Sequence, residues 1–372
     1  MLMKLIKKIW RLSPLLIRKF TIELISHKIG AHDKFAPQQP IYVLGAFKSS
    51  SGLGESARLY AKFQLHKGNK VICLDITKIM GQRDDLPQIE ENLVPFDKRE
   101  NLIEPGTIVI HANPPQFQLT LFSLGKKFLY NKSIVAYWAW EIETLPMDWI
   151  MGLQYVDRIE VPSIFIQRTI QKYTQKKVTV VPHELAIPEQ QKTKFMPDGI
   201  IRCLYCFDIS SGVNRKNPQA VLQAFIKAFP QGGAELTFKV NGISANYKKI
   251  QKLKKLCDHL PNVHIITDVL DKKSLSNLYC SHDIYISLHR SEGYGLTIRE
   301  AMLHGLHVVA TGWSGNMDFM HGKLAHPVPY NLVAIDEHEG PLKGIKGKWA
   351  EADIDEAARI LRHLKEELAL SQ

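Results

Sequence analysis

No apolar run in this 372-residue chain approaches the ~18 residues that a membrane-crossing helix needs. Cysteine is scarce. Five cysteines, an odd number without regular spacing, exclude a disulfide-stapled scaffold and fit a reducing compartment. Cys203 and Cys206 have C-x-x-C spacing, but they lie in the apolar run Ile200-Ile201-Arg202-Cys203-Leu204-Tyr205-Cys206-Phe207. With no second pair and no nearby histidine pair, they read as part of a buried strand and not as a zinc site. No other cluster of His, Cys and Asp has metal-ligand spacing, so no metal is expected. No G-x-G-x-x-G follows directly on a strand, which argues against a nicotinamide site. A secretory leader is not expected either: the apolar stretch 12–17 is short, broken by Pro14 and followed at once by Arg18-Lys19. The expected location is the cytoplasm.

What is present is an ordinary globular composition, 45% hydrophobic and 23% charged. At roughly 100–200 residues per domain, the length suggests two domains. The net charge of +11 is unevenly spread. Lys4, Lys7, Lys8, Arg11, Arg18, Lys19 and Lys28 stand against Glu23 alone, so the first 28 residues supply +6 of it. The rest is only mildly basic, and no nucleic-acid partner is indicated. Within residues 2–29, apolar and basic side chains alternate at near-helical spacing. Such a segment suits an anionic membrane interface, through residues 1–30, or packs on the chain's own N-terminal domain; both readings stand. Residues 31–40, with Pro37 and Pro40, read as a linker.

From residue 41 strands and helices alternate, which predicts parallel sheets with helices on both faces. Strands are expected at 41–44, 71–74, 107–111, 134–138, 158–161 and 178–181, with helices at 55–66 and 163–173. Residues 183–199, with Pro188, Pro197 and a polar stretch, interrupt the rhythm. Strands resume at 200–207, 235–240, 263–267, 283–287 and 307–310, with helices at 217–229, 246–258, 272–280 and 295–304. A last amphipathic helix covers 353–368. The expected division is a basic segment 1–35, a first domain 36–190, a second domain 198–345 and a C-terminal helix 346–372. The fold class is α/β, with two doubly wound Rossmann-like domains facing across a cleft where ligands would bind.

The most informative stretch is Ser291-Glu292-Gly293-Tyr294-Gly295-Leu296-Thr297-Ile298-Arg299-Glu300-Ala301-Met302, between a strand and a helix. Its glycines permit close backbone approach, and a helix N-terminus favours an anion. Glu292 and Glu300, eight residues apart, make sense there if they meet hydroxyl groups, as on a sugar. The alternative is a solvated loop glutamate and a surface helix glutamate. The lysine run Lys248, Lys249, Lys252, Lys254 and Lys255 reads as a solvated helix face.

The Glu292/Glu300 spacing resembles the E-x7-E signature of retaining glycosyltransferases of the GT-B fold. The likeness continues through Gly305, Val308-Val309-Ala310-Thr311 and Gly312-Trp313-Ser314-Gly315-Asn316-Met317-Asp318-Phe319. The chain looks like family 4, the group 1 transferases. Residues 45–58 resemble the family's N-terminal glycine loop, and Tyr137-Trp138-Ala139-Trp140-Glu141 with Leu145-Pro146, Val161-Pro162-Ser163, Arg215-Lys216-Asn217-Pro218 and Gly347-Lys348-Trp349-Ala350-Glu351 resemble a subgroup from bacterial surface-polysaccharide clusters.

That resemblance implies a hexosyltransferase moving sugar from a nucleotide-sugar to a saccharide or lipid-linked saccharide, in lipopolysaccharide, capsule or other surface-glycan synthesis. Glu300 would bind the donor ribose and Glu292 the donor sugar. Gly293, Tyr294, Gly295 and Leu296 would offer backbone N–H groups. Lys216 would bind the pyrophosphate, with Arg215 as helper. Gly52 and Gly54 would close over the phosphates, and Val269, in Asp268-Val269-Leu270, would meet the base. The family's usual Arg about five residues before the Lys is missing from Phe207-Asp208-Ile209-Ser210-Ser211, and Arg215 is its expected substitute. His111, at a strand's carboxyl end, would contact the donor sugar; otherwise it is a satisfied strand-end histidine. His183 is expected to be structural. Glu141, Trp138 and Trp140 suit an acceptor groove, or the tryptophans pack the core. No cofactor is implied, since the nucleotide-sugar is a substrate. The alternatives are a non-catalytic saccharide-binding relative and a nicotinamide-dependent oxidoreductase.

Overall fold

The computed structural model describes residues 39–86, 93–192, 194–195, 198–242, 246–337 and 342–370. The expectation for the basic segment 1–35 lies outside these residues. The chain divides into two compact units. The first holds the described residues up to Trp140 together with Leu145–Glu184, and the second holds Glu141–Thr144 with the described residues from Leu185 onward.

The first unit runs β1 (Ile41–Gly45), α1 (Gly52–His66), β2 (Val71–Asp75), α2 (Thr77–Met80), β3 (Leu93–Val94), β4 (Gly106–Ile110), α3 (Gln116–Leu129), β5 (Lys132–Tyr137), α4 (Met147–Gly152), β6 (Arg158–Val161), α5 (Ile164–Gln171) and β7 (Val178–Val180). Among the described residues its strands form one seven-stranded parallel sheet, ordered β3-β2-β1-β4-β5-β6-β7. The central strands β4 and β5 are buried at every position, which is why they read as near-continuous apolar runs. Ser51 caps α1 by accepting the Gly54 N–H at 3.3 Å. A Cβ on Gly45 would fall 2.2 Å from that of Ala57, so this glycine sets how closely α1 lies on β1.

The second unit runs β8 (Ile201–Asp208), α6 (Val213–Lys216), α7 (Pro218–Ala228), β9 (Ala234–Asn241), α8 (Tyr247–Cys257), β10 (Val263–Ile266), α9 (Lys272–Cys280), β11 (Ile284–Ser287), α10 (Leu296–Leu303), β12 (His307–Thr311), β13 (Ala325–Val328), β14 (Tyr330–Ala334), β15 (Lys348–Ala352) and α11 (Ile354–Leu370). Among the described residues, six strands form a parallel sheet ordered β10-β9-β8-β11-β12-β13, and β14 pairs antiparallel with β15. α11 lays Ala357, Ala358, Leu361, Leu364 and Leu368 into the core, at the helical spacing its sequence shows.

The alternation read from the sequence holds in both units. The sequence reading leaves four strands, the two-residue β3 and β13 to β15, unassigned. β13 reads Ala-His-Pro-Val and β14 is exposed along its whole length, so neither carries an apolar run. No described helix is long and apolar enough to cross a membrane.

Candidate active site

Strand order in the second unit reverses at β8, which lies between β9 and β11. Ligands in open parallel sheets bind beyond the carboxyl ends of the strands at such a point. Two loops leave from there, 209–217 and 288–295, and they meet at Glu292.

The first loop contains the single turn α6. Asn217, at φ +51, ends that turn in the left-handed region, and Pro218 opens α7. The Tyr205 hydroxyl donates to the Lys216 carbonyl at 2.6 Å, and the Arg290 N–H to the Arg215 carbonyl at 2.7 Å. Arg215 is 4% exposed. Its guanidinium donates to the Ser291 carbonyl at 2.7 Å and to the Ser211 carbonyl at 3.2 and 3.3 Å. It also lies 3.3 Å from Glu292 Oε2 and 3.6 Å from Glu141 Oε1. Lys216 Nζ pairs with the other Glu292 oxygen, Oε1. The two cations thus divide one carboxylate between them.

The electrostatics follow from this. Burial alone would raise the Glu292 carboxyl, but Lys216 and Arg215 outweigh it and hold the group down at about 2. Burial pulls the Lys216 ammonium down, and Glu292 opposes the shift. Burial raises the Glu141 carboxyl, with Arg215 opposing. Glu141 belongs to the second unit by its contacts, and its carbonyl accepts the Ser291 hydroxyl. Its observed partner is therefore the buried Arg215.

The second loop leads into α10. A Cβ on Gly315 would come within 2.1 Å of the Gly293 carbonyl, so the strand-end loops 292–295 and 312–316 pack backbone to backbone. Gly295 caps α10 at φ +91, a conformation that favours glycine. From Leu296 onward the first-turn N–H groups have no helical acceptor and suit an anion. Tyr294 is 7% exposed and packs on Phe319, with ring centroids 5.0 Å apart. Two turns along α10, Glu300 Oε2 accepts from the Tyr279 hydroxyl at 2.9 Å. Burial raises that phenol well above its ordinary range, keeping it a donor. Val269 lies 60% exposed in the loop between β10 and α9.

Sequence reasoning missed the groups behind Glu292. His289 is fully buried, with Nε2 3.1 Å from Asn316 Oδ1. Asn316 donates to the Thr311 carbonyl at 2.9 Å, and the Thr311 hydroxyl donates to the His289 carbonyl at 2.6 Å. Burial lowers the His289 pKa, with Glu292 opposing, and so favours the neutral ring. Tyr279 was also missed. The signals available were the polar residues of His289-Arg290-Ser291 directly after an apolar strand, and a tyrosine in the last turn of α9.

In the first unit the order reverses between β1 and β4, and His111 follows β4 there. It is fully buried, with Nδ1 2.9 Å from Ser56 Oγ and its ring stacked on Tyr137 at 4.3 Å. Its Nε2 has no hydrogen-bond partner among the described residues. Burial lowers its pKa well below the ordinary value, with His183 adding to the effect. His183 lies beside the same tyrosine, 3.4 Å from its hydroxyl, and burial brings it down to about 3. Gly52 opens α1 with open space where a Cβ would go. A Cβ on Gly54 would meet the Ala46 and Ser49 carbonyls at 2.6 and 2.5 Å, and its N–H already serves the Ser51 cap.

The tryptophans do not form a groove. Trp138 is fully buried edge-on to Phe117 and Trp149, at 5.5 and 5.2 Å, and Trp140 packs on Trp149 at 4.7 Å. The core reading is the one the structure bears out, because three indoles pack on one another and present no ring face to solvent.

A family model described as glycosyl transferases group 1 matches residues 204–335, the part that carries Arg215, Lys216, Glu292 and Glu300. A curated relative, the UDP-N-acetylglucosamine–peptide N-acetylglucosaminyltransferase GtfA subunit of Streptococcus agalactiae, is 32% identical over 91 residues. That match covers 24% of this chain and only 17% of the relative's length. The crystal structure of Anabaena HepE with UDP and glucose superposes at a TM-score of 0.61 and 13% identity, covering 88% of this chain and 90% of that one. The apo lipopolysaccharide outer core galactosyltransferase WaaB superposes at 0.53 and 12% identity, covering 76% and 83%. The fold of both units is that of the GT-B proteins.

Proposed function

We propose that this chain, whose C-terminal unit is a group 1 glycosyl transferase domain, is a glycosyltransferase that moves a sugar from a nucleoside diphosphate donor to a saccharide acceptor of a surface glycan. The observation that carries the reading is the pairing of Lys216 and Arg215 on Glu292 at the point where strand order reverses. Two cations stand where a diphosphate would develop charge, and a carboxylate suited to sugar hydroxyls stands between them. The UDP and glucose of HepE and the lipopolysaccharide substrate named for WaaB support the same classes here.

In this reading the bond between the anomeric carbon and the diphosphate oxygen breaks, and the acceptor oxygen bonds to that carbon on the same face. The acceptor proton passes to the departing phosphate, so anomeric configuration is retained and no separate base is required. Lys216 and the first-turn N–H groups of α10 stabilise the leaving diphosphate, where preorganised charge contributes most. With these cations fixed in place, the reaction is metal-independent. The Glu300 carboxylate, oriented by Tyr279, binds the ribose hydroxyls. A lipid-linked acceptor and an anionic membrane surface for residues 1–30 complete the reading.

The test is nucleotide release from a panel of nucleoside diphosphate sugars, with and without a chelator. Release from at least one donor, undiminished by chelation, is expected. Glu300→Ala should weaken nucleotide binding by ~10–100-fold, the worth of hydrogen bonds to a charged group. Release from no donor, or a folded Glu300→Ala variant with unchanged nucleotide affinity, contradicts the assignment.

A further inference from the structure

The carboxyl end of β9 carries an arrangement that the proposed reaction does not use. Thr237, Lys239 and Asn241 alternate onto one face of the strand. Lys239 lies opposite Cys206 of β8 and Ile266 of β10 in register, and it is 3% exposed. A charged group so buried requires a partner. Its Nζ donates to Asn241 Oδ1 at 2.5 Å, its one hydrogen bond among the described residues. An ammonium has donors and no acceptor. The contact therefore fixes the Asn241 amide in a single orientation, with Oδ1 on the lysine and Nδ2 turned away from it. Asn241 is half-buried, and its Nδ2 donates to nothing among the described residues.

The neighbourhood places this amide. Cys206, opposite Lys239, faces the Tyr279 hydroxyl, which is bonded to Glu300. On its other side, Lys239 lies within the field of Asp268, in the loop before α9. Burial pulls the ammonium down, and Cys206, Asp268 and Asp208 oppose the shift. By sheet order, Asn241 thus ends β9 between β10, which leads into the loop read as the base site, and β8 and β11, on the side of the carboxylate read as the ribose site.

We propose that Asn241, oriented by Lys239, presents its N–H donors to the base of the donor nucleotide and selects a base with a carbonyl on the facing edge. Uracil is favoured over cytosine, and guanine over adenine. The inference rests on the nucleotide-donor reading above. A carbonyl completes the hydrogen bond, whereas an exocyclic amino group sets donor against donor and leaves both unpaired. Lys239 is the positioning residue and Asn241 the one that meets the ligand.

Calorimetric titration of the full chain with UDP, CDP, GDP and ADP tests this. The keto base should bind about tenfold or more tightly within the pair that the site accepts. Asn241→Asp keeps one oxygen on Lys239 and turns an acceptor outward, so the preference within that pair should reverse. Lys239→Met frees the amide to rotate, and the ratio should fall toward one. Thermal melts establish that the variants are folded. If Lys239→Met does not fold, the Asn241→Asp reversal decides alone, since that side chain ends its strand half-exposed. Wild-type protein with no preference, or with a preference for the amino base, overturns the inference. So does a folded Asn241→Asp variant that discriminates as the wild type does, and in that case the donor reading stands. Binding of none of the four overturns the donor reading and this inference with it.

Discussion

Ser314 holds Glu292 from a backbone conformation that residues other than glycine rarely adopt. At φ +80 and ψ −153, its hydroxyl accepts the Glu292 N–H at 2.9 Å. The next residue, Gly315, donates its N–H to the Glu292 carbonyl at 2.9 Å. Both backbone groups of the glutamate between Lys216 and Arg215 are thereby fixed by two consecutive residues. Strain of this kind costs about 1–3 kcal/mol and persists where the surroundings over-determine it. A glycine would sit there freely but would bring no hydroxyl.

Two substitutions separate strain from clamp. Ser314→Ala keeps the strain and loses the hydroxyl. Ser314→Gly loses both, and the relief is offset by the lost hydrogen bond and by glycine's chain entropy, roughly 1 kcal/mol each. Urea unfolding should therefore find the glycine variant close to wild type and the alanine variant about 1–2 kcal/mol less stable than the glycine variant. Sugar transfer should slow in both. Equal stability of the two variants would refute the strain, and wild-type turnover in both would refute the clamp.

Lys216 and Arg215 should fail in different ways. Lys216 holds Glu292 by one contact and its backbone is anchored independently by Tyr205. Lys216→Ala should fold and should lose turnover more than nucleotide affinity, because charge on the leaving phosphate grows toward the transition state. Arg215 bridges the Ser211 and Ser291 carbonyls, Glu292 and Glu141 from a buried position. Removing it leaves the buried Glu292 and the half-buried Glu141 short of a partner, so Arg215→Ala should cost about 3–5 kcal/mol in unfolding free energy. An arginine variant as stable as wild type, with the larger kinetic defect, would make Arg215 the phosphate ligand and Lys216 its support.

Why some of this was legible in the sequence and some was not is a matter of range. The strand at β8, the glycine-led turn into α10 and the Glu292/Glu300 spacing are local patterns, and each lies where the sequence placed it. Glu141 was read beside Trp138 and Trp140 because it adjoins them in the chain. Its side chain instead meets Arg215, far off in sequence, and no local pattern encodes such a pairing. The indoles looked suited to a sugar face by residue type alone, while packing decides that they are core. Ser314 stands out only once φ is known. Arg215 was expected, from loop proximity alone, to stand in for the arginine that the resemblance implies; its guanidinium lies 3.3 Å from Glu292 Oε2.

The basic N-terminal segment can be tested without reference to the rest of the fold. Its charge of +6 lies among Leu, Ile, Trp10 and Phe20. Each Lys or Arg near an anionic surface contributes about 1 kcal/mol, enough in sum for reversible attachment that salt weakens. Full-length protein should co-sediment with phosphatidylserine-containing vesicles at low salt. A variant beginning at Phe35 should not, yet it should keep nucleotide binding, because every residue of the candidate site lies after Gly45. Full-length protein that ignores such vesicles, together with an insoluble truncation, would favour packing on the N-terminal unit.

The histidines set an acid limit on stability whose sign can be worked out. His326 Nε2 lies 3.0 Å from His307 Nδ1 with the rings stacked, and burial together with His307 brings His326 from its ordinary 6.5 down to about 4. In the first unit, burial brings His183 down to about 3. For both, the fold favours the neutral ring. Above pH 6.5 native and unfolded chains are both neutral at these sites, and their full contribution is present. As the pH falls below 6.5, the unfolded chain takes up protons that the native chain refuses, and stability declines until the native rings titrate near 4 and 3. Glu292 adds a second, lower step: its contribution is present above its ordinary 4.5 and is lost as pH falls toward about 2. Urea midpoints should therefore fall steadily between about pH 7 and pH 4. His326→Gln should flatten the second unit's share of that decline while leaving the first unit's share in place. An unchanged slope in this variant would mean that the His307–His326 pair titrates as freely in the native protein as in the unfolded chain.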